Sequence, residues 1–168
     1  MRIYPKLNEF FSIVNAVETA DVENRPIKTM YDYLYRILAI NPRILGHYIT
    51  RTTAITSFDW EIVGETNIIE NTLLRCKNTI QQIIKNHTNT PFYGSTLYEL
   101  DIMNIQDNTL VYIKNIIPHQ NYDYDLHNIY FFDNGKYIRK SSINEGLYLL
   151  DTYYIKGGIL RSIMPLEI

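Results

Sequence analysis

Cysteine occurs once in this chain of 168 residues, at Cys76, and that excludes an intrachain disulfide. Cysteine usage gives no sign of an oxidising compartment, so an intracellular protein is the expectation. Long apolar runs are missing as well. The stretch Met1-Arg2-Ile3-Tyr4-Pro5-Lys6 holds no apolar segment of signal-peptide length, and no run elsewhere approaches the ~20 residues that span a bilayer, which predicts a soluble chain without a membrane partner. Excess positive charge is absent too: 16 Lys and Arg stand against 18 Asp and Glu, giving a formal net charge of −2 and a pI near 6.1. Non-specific nucleic-acid binding needs clustered cations to neutralise phosphates, so broad attraction to DNA or RNA is excluded and any contact must be local. Tryptophan is limited to Trp60, whereas tyrosine occurs 15 times. Heavy use of Ile, Asn and Tyr together fits codon drift in an AT-rich genome and implies no function by itself.

What is present is ordinary globular material, 46% hydrophobic and 20% charged, in a length that suits one domain with a proper core. The first part reads as helices. Phe10, Phe11, Val14 and Val17 recur at helical spacing before the polar stretch Asp21–Pro26, so residues 1–27 are expected to form a short helix and a mobile segment, with a single domain over 28–168. Met30, Leu34, Ile37 and Leu38 make a second helical stripe. Asn41-Pro42 should stop that helix and start the next, because proline disfavours helical geometry before it and is tolerated at the first helical position, where Asn41 can cap. Leu45, Tyr48, Ile49, Thr52 and Ile55 carry the apolar face onward. The alternation in Ser57–Val63 predicts a strand ended by Gly64. A fourth helix is then expected, with a capping box at Asn67 and Glu70 and one continuous stripe of Ile69, Leu73, Cys76, Ile80, Ile83 and Ile84.

From residue 92 the pattern is strand. Thr96–Ile105 and Leu110–Ile117 flank a polar turn, and Ile129–Phe132 and Tyr137–Arg139 flank Asp133-Asn134-Gly135-Lys136, where Asn-Gly suits a type I′ hairpin. Leu147–Ile155 is a further strand, separated by Gly157-Gly158 from the segment Ile159–Met164. No internal repeat or low-complexity linker appears. Helices first and antiparallel strands after predict an α+β fold, with N-terminal helices packed against a mainly antiparallel sheet built from hairpins.

Candidate chemistry is sparse. The loop His119-Gln120-Asn121-Tyr122-Asp123-Tyr124-Asp125-Leu126-His127 has two imidazoles and two carboxylates that could gather round a cation, yet an irregular solvated loop carries the same residue types, and that reading is preferred. Cys76 lies on an apolar helical face and reads as a buried structural thiol, and no serine sits in a nucleophile elbow. His47, His87, His119 and His127 follow no metalloprotease spacing, and Gly157-Gly158 lacks the Lys-Ser or Lys-Thr of a phosphate loop, so a turn is expected there. No catalytic residue, cofactor or metal is assigned, and the chain is expected to be a non-enzyme. The basic hints are Arg36, Arg43 and Arg51 near Tyr31, Tyr33, Tyr35 and Tyr48, with Lys85, Arg139 and Lys140 elsewhere. Such a mixture serves single-stranded nucleic acid or, as preferred here, a subunit contact; Arg36, Arg43, Arg51, Tyr31, Tyr35 and Tyr48 are the candidates.

The order of motifs resembles a known family. The run Ile49-Thr50-Arg51-Thr52-Thr53-Ala54-Ile55-Thr56-Ser57-Phe58-Asp59-Trp60-Glu61-Ile62 resembles the Mu-type bacteriophage portal protein family, in which an Arg-bearing helix leads into a strand with a Trp-x-Ile core. Phe92-Tyr93-Gly94-Ser95-Thr96-Leu97-Tyr98-Glu99-Leu100 is similar to its Tyr-Gly-x-x-x-x-Glu segment. Phe131-Phe132-Asp133-Asn134-Gly135 and Gly157-Gly158-Ile159-Leu160-Arg161 look like its later hairpin and its Gly-Gly-x-Leu-Arg element. The similarity covers about residues 28 to 162. It implies a non-enzymatic, homo-oligomeric subunit of the ring at a capsid vertex, working with phage head and packaging proteins in a virion or a bacterial cytoplasm. The family continues into channel helices and a clip where this chain ends, so only the peripheral wing portion is matched, and DNA contact is expected only in a complete ring. A fragment of a longer reading frame, a prophage remnant and a wing-like domain reused for assembly all fit that match. The alternative is a small nucleic-acid-binding or protein-interaction module without a portal role.

Overall fold

Lys28–Ile40 winds into a helix (α1) because Met30, Leu34 and Leu38 fall on one buried stripe. The computed structural model describes residues 15, 28–61, 73–105, 108–134, 136–142, 147–153 and 158–163. The helix expected at residues 10–17 and the capping box at Asn67 and Glu70 lie outside them, Asn15 excepted. Asn41 breaks the helix in extended backbone, and its side chain accepts from the N–H groups of Arg43 and Ile44 at 3.1 and 3.2 Å, opening α2, Pro42–Thr56. The strand expected from Ser57 is not found over residues 57–61. Ser57 instead closes α2 by donating its backbone N–H to the Thr53 carbonyl, and Phe58 is left exposed. Residues 62 and 63 lie outside the described set.

The helical stripe expected through Cys76 is interrupted there. Residues 73–75 are helical, the buried Cys76 sits in a turn as the N-cap whose carbonyl accepts from the Ile80 N–H, and a separate α3 runs from Lys77 to His87. A short α4, Thr90–Tyr93, follows and ends at Gly94, whose positive φ of 92° supplies a left-handed cap that glycine adopts without penalty.

The strands form two antiparallel three-stranded sheets rather than one. Sheet A has the order β2-β1-β6, from β1 (Ser95–Ile105), β2 (Asn108–Ile117) and β6 (Tyr148–Thr152). Sheet B has the order β3-β4-β5, from β3 (Tyr122–Tyr124), β4 (Asn128–Asp133) and β5 (Lys136–Ser142). Asp133 pairs with Lys136 across a turn in which Asn134 has φ +48°, as a type I′ turn requires at that position. A final α5, Gly158–Ile163, packs against α4.

Two apolar clusters result. Met30, Tyr31, Leu34, Leu38, Ile44, Phe92, Tyr93 and Leu160 join α1, α2, α4 and α5. Leu97, Tyr122, Ile129 and Phe131 fill the space between the sheets, with Ile117, Tyr124, Tyr148 and Leu150 around them. The other face of sheet A meets α3, where Thr79 donates to the Val111 carbonyl at 2.9 Å and so occupies an acceptor on the outer edge of β2. The fold is α+β, with the strand layer divided in two.

Candidate functional site

The residues expected to make contacts divide by their position on the helices. Arg43 and Arg51 lie eight residues apart on α2 with His47 between them, all three exposed, so they share one solvent-facing stripe, while the exposed Ile49, two residues from His47 and from Arg51, lies on another side of the helix. Arg36 is exposed on α1. Their tyrosine neighbours turn the other way. Tyr31 is only 3% exposed and belongs to the helical cluster, Tyr35 is half-buried, and Tyr48 packs edge-on against Phe92 at 5.0 Å while its hydroxyl donates to Asn89 Oδ1. The structure therefore separates the arginines from the rings expected to act with them. Amphipathic spacing explains the split, because Tyr31, Tyr35 and Tyr48 follow the buried stripes and the arginines fall between them.

Tyr31 and Tyr35 converge on His119. This residue opens a 3-10 turn, His119–Asn121, that carries the chain from sheet A to sheet B. Its imidazole stacks with Tyr31 at 5.1 Å and lies against Tyr93 at 4.9 Å and Tyr122 at 6.0 Å. Nε2 lies 2.7 Å from the Ser95 carbonyl, an acceptor, so Nε2 must carry the proton; Nδ1 is then the acceptor for the Tyr35 hydroxyl. Ser95 Oγ in turn meets the Tyr122 hydroxyl at 2.8 Å. Burial pushes the His119 pKa down to about 4, which keeps the ring neutral, and the same desolvation pushes Tyr35 up to about 12 and raises Tyr31, Tyr93 and Tyr122. The cluster ties α1, α4, β1 and β3 together.

The rest of the 119–127 segment is engaged elsewhere. Tyr122–Tyr124 is the strand β3, where a loop was expected, and Asp123 on it is buried. Asp125 closes a turn by accepting from the N–H groups of His127 and Asn128 at 2.8 Å each and from the Tyr130 hydroxyl at 2.6 Å; the last bond leads in holding its carboxyl well below the usual range. His127 is exposed. Among the described residues, no three His, Cys, Asp or Glu side chains converge as metal ligands would. Gly157 lies outside the described residues, and Gly158 is buried at the start of α5 with φ +64°.

A second polar centre escaped the sequence reading. Asp151 on β6 accepts from His87 Nδ1 and from Thr90 Oγ1, each at 2.6 Å, and Thr90 also meets Thr96 at 2.9 Å. It joins the end of α3 to α4 and both β1 and β6. The available signal was Asp151 itself, a lone carboxylate inside the apolar run Leu147–Ile155.

The arrangement defines an α+β protein whose inward polar groups hold elements together and whose outward feature is a basic helical stripe. Among the described residues no helix is long and apolar enough to cross a membrane. Comparison with protein-family models, curated proteins and solved structures gives no match.

Proposed function

We propose that this chain is a structural subunit that acts by contacting neighbouring chains, in the manner of the wing portion of a Mu-type portal protein within a capsid-vertex ring. The observation that carries the reading is the outer stripe of α2. Arg43, His47 and Arg51 face solvent on one line, and arginine is a residue type enriched at protein interfaces. The named polar side chains support the same reading, since His119, Asp125 and Asp151 are each engaged in bonds that hold strands, turns or helices in place. Head-to-tail contacts form a ring where the rotation between neighbours closes, and that is the symmetry this reading requires.

Light scattering on the full chain over a range of concentrations tests this. Assembly is expected to rise with concentration and to be lost in Arg43→Glu/Arg51→Glu with unchanged circular dichroism. A wild-type chain that stays monomeric at high concentration overturns the proposal. The same arginines also suit a nucleic-acid strand, and that alternative requires salt-sensitive binding with a slope of about −0.7 per phosphate neutralised on single strands.

A further inference from the structure

The register of β1 on β2 shifts between Glu99 and Leu100, and beyond it β1 continues to Ile105 paired with β2 but no longer with β6. There, side chains of both sheets line an open groove of about 400 Å³. Four of them are charged: Glu99, Asp101, Lys114 and Arg139. Glu99 and Lys114 pair at 3.0 Å, and Asn115 donates to the other Glu99 oxygen at 3.2 Å, so this pair is neutralised internally.

Among the described residues the hydrogen bonds of the remaining two go to neutral groups, while Arg139 and Asp101 act on the Glu99–Lys114 pair only through space. Asp101 accepts from the Tyr112 hydroxyl at 3.1 Å and from the Ile102 N–H at 2.8 Å. Arg139 donates to the Tyr148 hydroxyl at 2.6 Å, with its guanidinium 4.6 Å from the centre of the Phe131 ring and 6.0 Å from that of Tyr148. Among the described residues neither Asp101 nor Arg139 has an ion-pair partner, and they are not within ion-pair range of each other. The groove thus displays one anchored cation and one separate anion. Leu147 and the Tyr148 ring supply an apolar wall.

This pattern selects a class of ligand. A guanidinium fixed by ring stacking and one hydrogen bond keeps other N–H donors for a planar carboxylate, at little further entropic cost. The four charges sum to zero, which disfavours a dianionic phosphate or a polycation. We propose that the groove binds a small zwitterion with separated ends, of dipeptide size, its carboxylate on Arg139, its ammonium on Asp101 and an apolar side chain against Leu147 and Tyr148. This is independent of the assembly reading, which rests on α2.

Titration of the ¹⁵N-labelled full chain with glycyl-leucine, followed by amide shifts, tests it. Saturable shifts are expected at Asp101, Arg139 and Tyr148, with affinity lowered about tenfold or more in Arg139→Gln and in Asp101→Asn. N-acetyl-glycyl-leucine and glycyl-leucinamide, each lacking one charge, are expected to bind about tenfold more weakly. Absence of saturable shifts up to about 20 mM overturns the proposal, as does equal binding by the blocked peptides or by either variant with an unchanged thermal midpoint. Should Arg139→Gln not fold, Arg139→Lys retains the charge without the fork and must still lose affinity.

Discussion

The neutral imidazole of His119 has a consequence for acid stability. In the unfolded chain a histidine titrates near 6.5, whereas burial holds this one to about 4, so between those values the unfolded state binds more protons than the folded one. The stabilisation is complete above the unfolded value and is lost as pH falls toward the folded one. Urea unfolding is expected to show a loss of about 2 kcal/mol between pH 7 and pH 5 from this group. His119→Gln, which cannot titrate, should flatten the slope in that window; an identical slope in wild type and variant refutes the assignment. Tyr35→Phe would not serve, since it removes a partner and leaves the titrating ring in place.

At the scale of elements, two glycines have opposite expectations. A Cβ on Gly158 would stand 2.6 Å from the Gly94 nitrogen and closer still to the Phe92 carbonyl, and φ is +64°. Alanine there must push α5 off α4 or abandon the left-handed backbone, and a loss of at least about 2 kcal/mol is expected. Gly46 sits exposed within α2 with nothing within 4 Å of a built Cβ, so Gly46→Ala is expected to stabilise by about 1 kcal/mol. Thermal and urea unfolding of both variants distinguish the two signs, and equal effects would contradict this packing.

The sequence was legible where the cause was local. Asn41-Pro42 specified both a helix end and a helix start, and Asn134-Gly135 specified its hairpin, because caps and turns depend on the residues that form them. It was illegible where the cause was distant. β3 is three residues long and exists through its pairing with β4, and α4 and α5 are too short to show a helical repeat. Residues 57–61 alternate like a strand, yet helix capping prevails at Ser57. For the candidate site, composition identified the arginines but not their separation from Tyr31, Tyr35 and Tyr48. The role of His119 was hidden for the same reason, since its surroundings come from α1, α4, β1 and β3.

In the whole molecule, the helical cluster and the inter-sheet cluster meet along the polar seam of Tyr35, His119, Ser95 and Tyr122. The seam lets one chain join a helical layer to a divided strand layer without leaving these four polar groups unpaired. Sheet A is completed from far along the chain, because β1 pairs with β2, its neighbour in sequence, but with β6 only after sheet B has intervened, Ser95 opposite Thr152. Closing so long a loop is entropically costly until the hairpins exist, so β6 should dock late on the folding path. Stopped-flow kinetics should then show Leu150→Ala speeding unfolding while refolding stays nearly unchanged, a φ-value below about 0.3. A φ-value near 1 would place β6 in the nucleus instead. Late docking also means that Asp151 reaches His87 and Thr90 after the helices have formed, so their shared bonds act as a clasp fastened at the end of folding.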